Sequence, residues 1–231
     1  MYGLLEIADR IGWSTDQQNP MGEVIEMNAG PDASIRAISM YTMNRAYWES
    51  RFYNEAYWER YLDVLAQNRF NSLVLIFGYE NGGFLAPCYP YFFNVEGFPD
   101  VTMERLTREQ QQKNLIALNR LIEMAHEKGL DFKVGIWDHI YRGGVQAGGT
   151  PEEELAAQTG SSRVLGLDAD NLRAYTKSAL TKFIELVPHL DGIQFRMHYE
   201  SGLRKEEMED FWMEIFQMIR KEAPNMRLDL R

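Results

Sequence analysis

Apolar positions in this chain come in two alternating textures. Short, nearly continuous runs give way to longer stretches in which apolar residues recur every three or four positions. The short runs are Ile35 to Met43, Ser72 to Tyr79 (SLVLIFGY), Phe132 to Ile140 (FKVGIWDHI), Gly192 to Tyr199 (GIQFRMHY) and Met226 to Leu230. Runs of this length predict strands, the second of them buried on both faces. The periodic stretches predict helices. One covers residues 54 to 68, with Tyr57, Tyr61, Val64 and Leu65 on a common face. Another is opened by a capping box of Thr107 and Gln110, carries Leu115, Leu118, Ile122 and Ala125, and closes at Gly129. A third is capped by Asp168 or Asp170 and stopped by Pro188; a fourth carries Phe211, Trp212, Ile215, Phe216 and Ile219. Ahead of all of them, Leu4, Leu5, Ile7, Ala8 and Ile11 predict a short helix ending near Gly12. Residues 14 to 33, rich in turn formers, read as a loop.

Strand alternating with helix predicts parallel strands joined by right-handed crossovers. A doubly wound sheet and a (β/α)₈ barrel both fit that pattern. No G-x-G-x-x-G opens a helix, which weakens the nucleotide-binding version of the former. The connections that follow strands are long (80 to 105 and 142 to 167), and those that follow helices are short (68 to 71, 129 to 131, 188 to 191). Barrel active sites are built from the loops after strands, so this asymmetry selects the barrel. Four βα units and the start of a fifth strand are present. The expected object is therefore a TIM barrel truncated to about its first half, residues 34 to 231, preceded by residues 1 to 33 as the end of a preceding α/β domain and a linker.

Composition narrows the function classes. With 24 Lys+Arg against 34 Asp+Glu, the formal charge is −10. That balance argues against a nucleic-acid binder, which needs a basic face. Cys88 is the single cysteine, so no intrachain disulfide or cysteine-based metal site is available, and the compartment stays open. No run is long and apolar enough to span a membrane. The N-terminal MYGLLEIADRIGW lacks a basic stretch followed by a long apolar one, so it does not read as a signal peptide. For the full-length parent the expected location is nonetheless the periplasm or outside the cell. With four histidines and no H-x-H or H-x-x-x-H, no metal is expected, nor any cofactor.

Candidate chemistry gathers at the ends of the strand runs. In the fourth run Ile193, Phe195, Met197 and Tyr199 share one parity, and Gln194, Arg196, His198 and Glu200 share the other. An apolar parity suits the helix-facing side, so the polar row faces the barrel interior and delivers Glu200 to the rim. A buried Arg196–Glu200 ion pair is the bland reading of the same row. The third run ends in Trp137, Asp138 and His139: a flat ring for a sugar to stack on, with an adjacent carboxylate for its hydroxyls. A core tryptophan and a loop-capping aspartate would look the same. Tyr79 and Glu80 stand near the end of the second strand, and the first strand ends Met43-Asn44-Arg45, where Arg45 could orient a carboxylate through two hydrogen bonds or serve a structural ion pair. The aromatic segment from Cys88 to Phe98 reads as a lid, a subsite wall or packing against the barrel.

The stretches NRFNSLVLIFGYE (68 to 80), GIWDHIYRGG (135 to 144) and QFRMHYESGL (194 to 203) resemble the front half of the barrels of family 20 β-hexosaminidases and α-glucuronidases. MYGLLEIADRI resembles the last helix of the small α/β domain that precedes those barrels. The resemblance implies a glycoside hydrolase acting on O-glycosyl bonds of oligo- or polysaccharides, with Glu200 as general acid/base at the end of the fourth strand. Family 20 enzymes carry an adjacent Asp-Glu pair there, whereas this chain has Tyr199-Glu200. That shifts the expectation toward an α-glucuronidase-like relative. Asp138 is the expected second carboxylate and Asp229 a weaker one, unless the partner stands on a later strand. Arg45, Tyr79, Glu80, Trp137, His139, Arg196 and His198 are the expected substrate-binding residues, and the partner is a carbohydrate. The alternative is a non-catalytic carbohydrate-binding or incomplete barrel fragment; four and a half units need not be active alone. A metal-dependent barrel hydrolase is a third class. The sequence leaves the oligomeric state open.

Overall fold

The computed structural model describes residues 2–42, 45–77, 80–81, 84–85, 87–137, 164–168, 170–197, 203 and 205–231; at 2, 45–47, 80–81, 84–85 and 205 only the backbone path is described. Five strands form a parallel sheet: β1 (Ala37–Tyr41), β2 (Ser72–Ile76), β6 (Asp131–Ile136), β8 (Gly192–Phe195) and β9 (Arg227–Leu230), in the spatial order β1-β2-β6-β8-β9. Each neighbour in the sheet is the next of these strands along the chain, and each step crosses over through helix. This is the winding of a (β/α)₈ barrel carried through four units and into the fifth strand.

The helices follow from their own caps and faces. Helix α1 (Tyr2–Trp13) is tied to the turn between α3 and β2 by Arg69, whose guanidinium reaches Asp9 at 2.7 Å and Glu6 at 3.5 Å. Helix α3 (Glu55–Gln67) starts where the Asn54 side chain accepts from the Tyr57 N–H. Thr107 does the same for α4 (Arg108–Glu127), accepting from Gln110 N–H, and Gly129 at φ +73° ends it in the left-handed conformation expected of a helix C-cap. Asn171 precedes helix α5 (Leu172–Leu186) without a side-chain capping bond; Asp168, three residues earlier, accepts through its carboxylate from the Asp170 and Asn171 N–H groups and through its carbonyl from the Leu172 N–H. Helix α6 (Lys205–Glu222) buries Phe211, Trp212, Ile215 and Ile219, the face read from its periodicity.

Two elements depart from the sequence reading. A further helix, α2 (Arg45–Phe52), fills the connection after β1, so Arg45 opens a helix and does not end a strand. Trp48 and Phe52, four residues apart, bury its inner face. In α3 the buried face is Trp58, Leu62, Leu65 and Ala66, one position round from the expected one, and Val64 is exposed. Tyr57 and Tyr61 instead stack on each other at the margin, ring centroids 5.9 Å apart.

The core lies between the outer sheet face and the helices. Leu73, Leu75 and Phe77 from the second strand, Phe132, Val134 and Ile136 from the third, and Ile193 and Phe195 from the fourth all join it. The aromatic segment after β2 belongs here too. It includes a single 3₁₀ turn (Tyr89–Tyr91), and Tyr89, Tyr91 and Phe92 are fully buried, meeting Phe52, Phe77, Tyr175 and Phe183 edge-on or tilted. Gln111 and Asn114 of α4 answer its carbonyls at Pro90 and Tyr91, each at 2.8 Å. Of the three readings of this segment, packing against the barrel is the one observed.

The two long loops are stitched together. Thr102–Met103 (β5), in the connection after β2, pairs antiparallel with Val164–Leu165 (β7), in the connection after β6. Gly166 makes this possible: its φ is +79°, and a Cβ there would lie 2.2 Å from the Asp100 carbonyl oxygen. A short hairpin of Glu80–Asn81 (β3) and Phe84–Leu85 (β4) begins the first of these loops.

Candidate functional site

The inner sheet face is polar. Strand register places side chains of one parity in layers across it: Ser39, Val74, Lys133, Gly192 and Arg227 in one, then Tyr41, Ile76, Gly135, Gln194 and Asp229 above it. Trp137, Arg196 and Arg231 follow at the C-terminal rim, where the ladder continues through Arg196 N–H to the Ile136 carbonyl (2.9 Å) and Met197 N–H to the Arg231 carbonyl (2.7 Å). Barrel interiors are ordinarily filled with branched apolar side chains. Here Lys133, Gln194 and Arg196 are buried instead.

Arg196 is the centre of the rim. Only 5% exposed, it sends Nη2 to the Tyr41 hydroxyl at 2.7 Å, across the two intervening strands. Its Cζ lies 5.2 Å from the Tyr41 ring centroid and 5.6 Å from that of Trp137, so the cation rests against both π faces. Gly135 contributes no side chain to the wall between them; a Cβ there would meet Ile76 Cγ1 at 2.7 Å. Burial pushes the Arg196 pKa down, Tyr41 pulls it back up, and the nearby Arg231 charge adds to the lowering. An arginine tolerates that without losing its proton. Its Nε is buried with no hydrogen-bond partner among the described residues, and so is Oε1 of Gln194.

One layer down, Lys133 of β6 is 3% exposed and its Nζ meets Asp229 Oδ2 of β9 at 2.7 Å, over the space left by Gly192. Asp131 and Arg227 pair across the same strands below that. The wall is thus a ladder of charge pairs that opens, at the top, on a guanidinium without a carboxylate among the described residues.

Of the residues expected from sequence, Arg196 and Trp137 come together on this wall. Asp138, His139, Tyr79, His198 and Glu200 lie outside the described residues. Glu80 sits in β3 and Arg45 at the start of α2, both described by backbone alone. Asp229, read as a weaker second carboxylate, is engaged by Lys133. Sequence reasoning passed over Tyr41 and Lys133. The signal for Lys133 was present, since a lysine inside the apolar run FKVGI has nowhere to go but the inner face. Tyr41 had none, because nothing local marks a strand tyrosine as the partner of an arginine so distant in sequence. No described helix is long and apolar enough to cross a membrane.

No family model matches the chain, and no curated protein matches it. Among solved structures it superposes on a GH138 enzyme targeting pectin rhamnogalacturonan II with a TM-score of 0.68 and 17% identity, over 96% of this chain and 25% of that one. A mutant Streptomyces plicatus beta-hexosaminidase in complex with product (GlcNAc) aligns at 0.49 and 13% over 87% of this chain and 39% of that chain. GH5_18 from Bifidobacterium longum subsp. longum aligns at 0.43 and 11% over 86% and 44%. At these identities the likeness is one of fold, and the first superposition carries it. The chain resembles part of a glycoside hydrolase TIM barrel. It spans a quarter of the length of the GH138 structure and under half of the other two.

Proposed function

We propose that this chain is the front half of a barrel that binds carbohydrate and takes part in glycoside hydrolysis. The observation that carries the reading is the rim of the inner wall. A buried arginine is held between Tyr41 and Trp137 at the C-terminal end of the sheet, with Nε unpartnered among the described residues. Ligands of barrel folds bind at that end. An aromatic face beside a hydrogen-bonding cation suits a hydroxyl-rich or acidic sugar. On this reading Glu200, four residues beyond Arg196 and of the same strand parity, is the general acid/base. Asp138, next to Trp137, is the second carboxylate unless a later strand supplies it. Residues 1–33 then end a preceding domain, and residues 34–231 begin the barrel.

The test is hydrolysis of a panel of aryl glycosides, including uronides, by the wild-type chain and by Glu200→Gln. Loss of a general acid/base lowers turnover by about 10²-fold or more, and that loss is the expected result. Turnover unchanged in Glu200→Gln would remove Glu200 from the mechanism. A second reading, sugar binding without turnover, is favoured by the wall itself: beside Arg196 the described residues offer aromatic faces and hydrogen-bonding groups but no carboxylate. Calorimetric binding of sugars with no hydrolysis would select it.

A further inference from the structure

The inner wall holds more hydrogen-bonding capacity than its described neighbours use. Gln194 (9% exposed) and Arg196 (5%) alternate on the fourth strand with Phe195, which packs outward, so both side chains lie on the inner side of the sheet. Gln194 Oε1 and Arg196 Nε are buried without a partner among the described residues. Lys133, an ammonium with three donors, has Asp229 as its described partner. Buried groups of this kind are ordinarily satisfied, because leaving one unmet costs its full desolvation. The two orphans also differ in kind. Arg196 Nε–H needs an acceptor, whereas Gln194 Oε1 needs a donor. Carboxylate and phosphate oxygens only accept, so an anion can answer Arg196 Nε–H and never Gln194 Oε1. A hydroxyl does both.

We propose that Gln194 is a specificity-determining residue on the inner wall. Its Oε1 accepts a hydrogen bond from a ligand hydroxyl, while Arg196 Nε–H donates to another oxygen of the same ligand. The inference rests on the carbohydrate-binding reading and adds a requirement to it: the ligand must bring a hydroxyl donor one strand layer below the group that meets Arg196. Two residues along a strand span roughly 6.6 Å, a distance for two substituents of one sugar ring to bridge.

Titration calorimetry on the 231-residue chain tests it. The probes are methyl α-D-galactopyranoside, methyl β-D-glucopyranoside, the corresponding uronic acids and the monodeoxy derivatives of each. Gln194→Leu removes the acceptor and Gln194→Glu keeps one. The expected result is a loss of about tenfold or more in affinity for the parent glycoside in Gln194→Leu. Gln194→Glu should retain binding, and one deoxy derivative should bind wild type and Gln194→Leu alike because its missing hydroxyl is the partner. If Gln194→Leu does not melt cooperatively, Gln194→Met replaces it in the same comparison. Suppose the wild type binds a glycoside, Arg196→Met weakens it, and the Gln194 variants change nothing. The sugar site then stands and the role of Gln194 is overturned. If the wild type binds none of the probes, the carbohydrate reading falls and this inference with it.

Discussion

Removing either half of the Lys133–Asp229 pair should have very unequal effects. Lys133 is 3% exposed and Asp229 35% exposed, with Nζ and Oδ2 2.7 Å apart. Asp229→Ala leaves an ammonium on the inner wall with no described counter-charge and almost no access to water. Breaking a fully buried pair this way costs about 3–5 kcal/mol; because the carboxylate is partly hydrated, about 2–3 kcal/mol is expected here. Lys133→Met removes the charge that cannot be hydrated, keeps a side chain of similar length, and leaves Asp229 free to turn to water, at a cost of about 0–1 kcal/mol. For a chain of this size 1 kcal/mol is roughly 2–4 °C in Tm, so Asp229→Ala should melt about 5–10 °C lower while Lys133→Met stays within about 4 °C of the parent. Urea and thermal unfolding by far-ultraviolet circular dichroism measure both, and the double variant Lys133→Met/Asp229→Ala should fall close to Lys133→Met. Equal losses, or a larger one in Lys133→Met, would mean that the ammonium is hydrated and that the wall around it is open to water.

Gly166→Ala forces a non-glycine residue to φ +79° and a Cβ onto the Asp100 carbonyl; about 1–3 kcal/mol of strain follows. It should be relieved locally, with faster amide exchange at Val101 to Met103, and unchanged protection there would count against the stitch. Glu214 of α6 accepts hydrogen bonds from Lys177 and Arg173 of α5. The Lys177 bond above all holds its carboxyl below the usual range; burial opposes it, and the Arg173 bond adds to the lowering. A lowered folded-state pKa contributes stability above the unfolded value and loses it as pH falls through the folded one. Glu214→Gln should therefore flatten the acid limb of stability, by less than about 1 kcal/mol given its exposure. An identical acid limb in the variant would show that the pair contributes nothing.

What could be read from the sequence was whatever is written locally. Thr107 and Gly129 mark their helix ends because capping is decided within a turn, and FKVGI and GIQFRM declare their inward residues because strand parity is fixed at two. Helix α2 escaped because RAYWESRF is short and mixed, with Trp48 and Phe52 as its described anchors. The turn of α3 by one position also escaped, since Tyr57 and Trp58 are both aromatic and the elements packed around the helix, among them the Phe52 carbonyl of α2 that Trp58 reaches, decide which goes inside. Within the candidate site, Arg196 and Trp137 were legible from their place at strand ends. Their meeting with Tyr41 was not, because it depends on how four strands lie side by side and on Gly135 leaving the wall bare between them.

The antiparallel stitch of Thr102–Met103 to Val164–Leu165 has a consequence for how this molecule can vary. Two segments remote in sequence share one rim, so neither can be lengthened or recut without disturbing its counterpart. Grafting a foreign loop into one connection alone would pull the other out of place. The natural unit of exchange is the pair, transplanted together with the glycine that lets them touch.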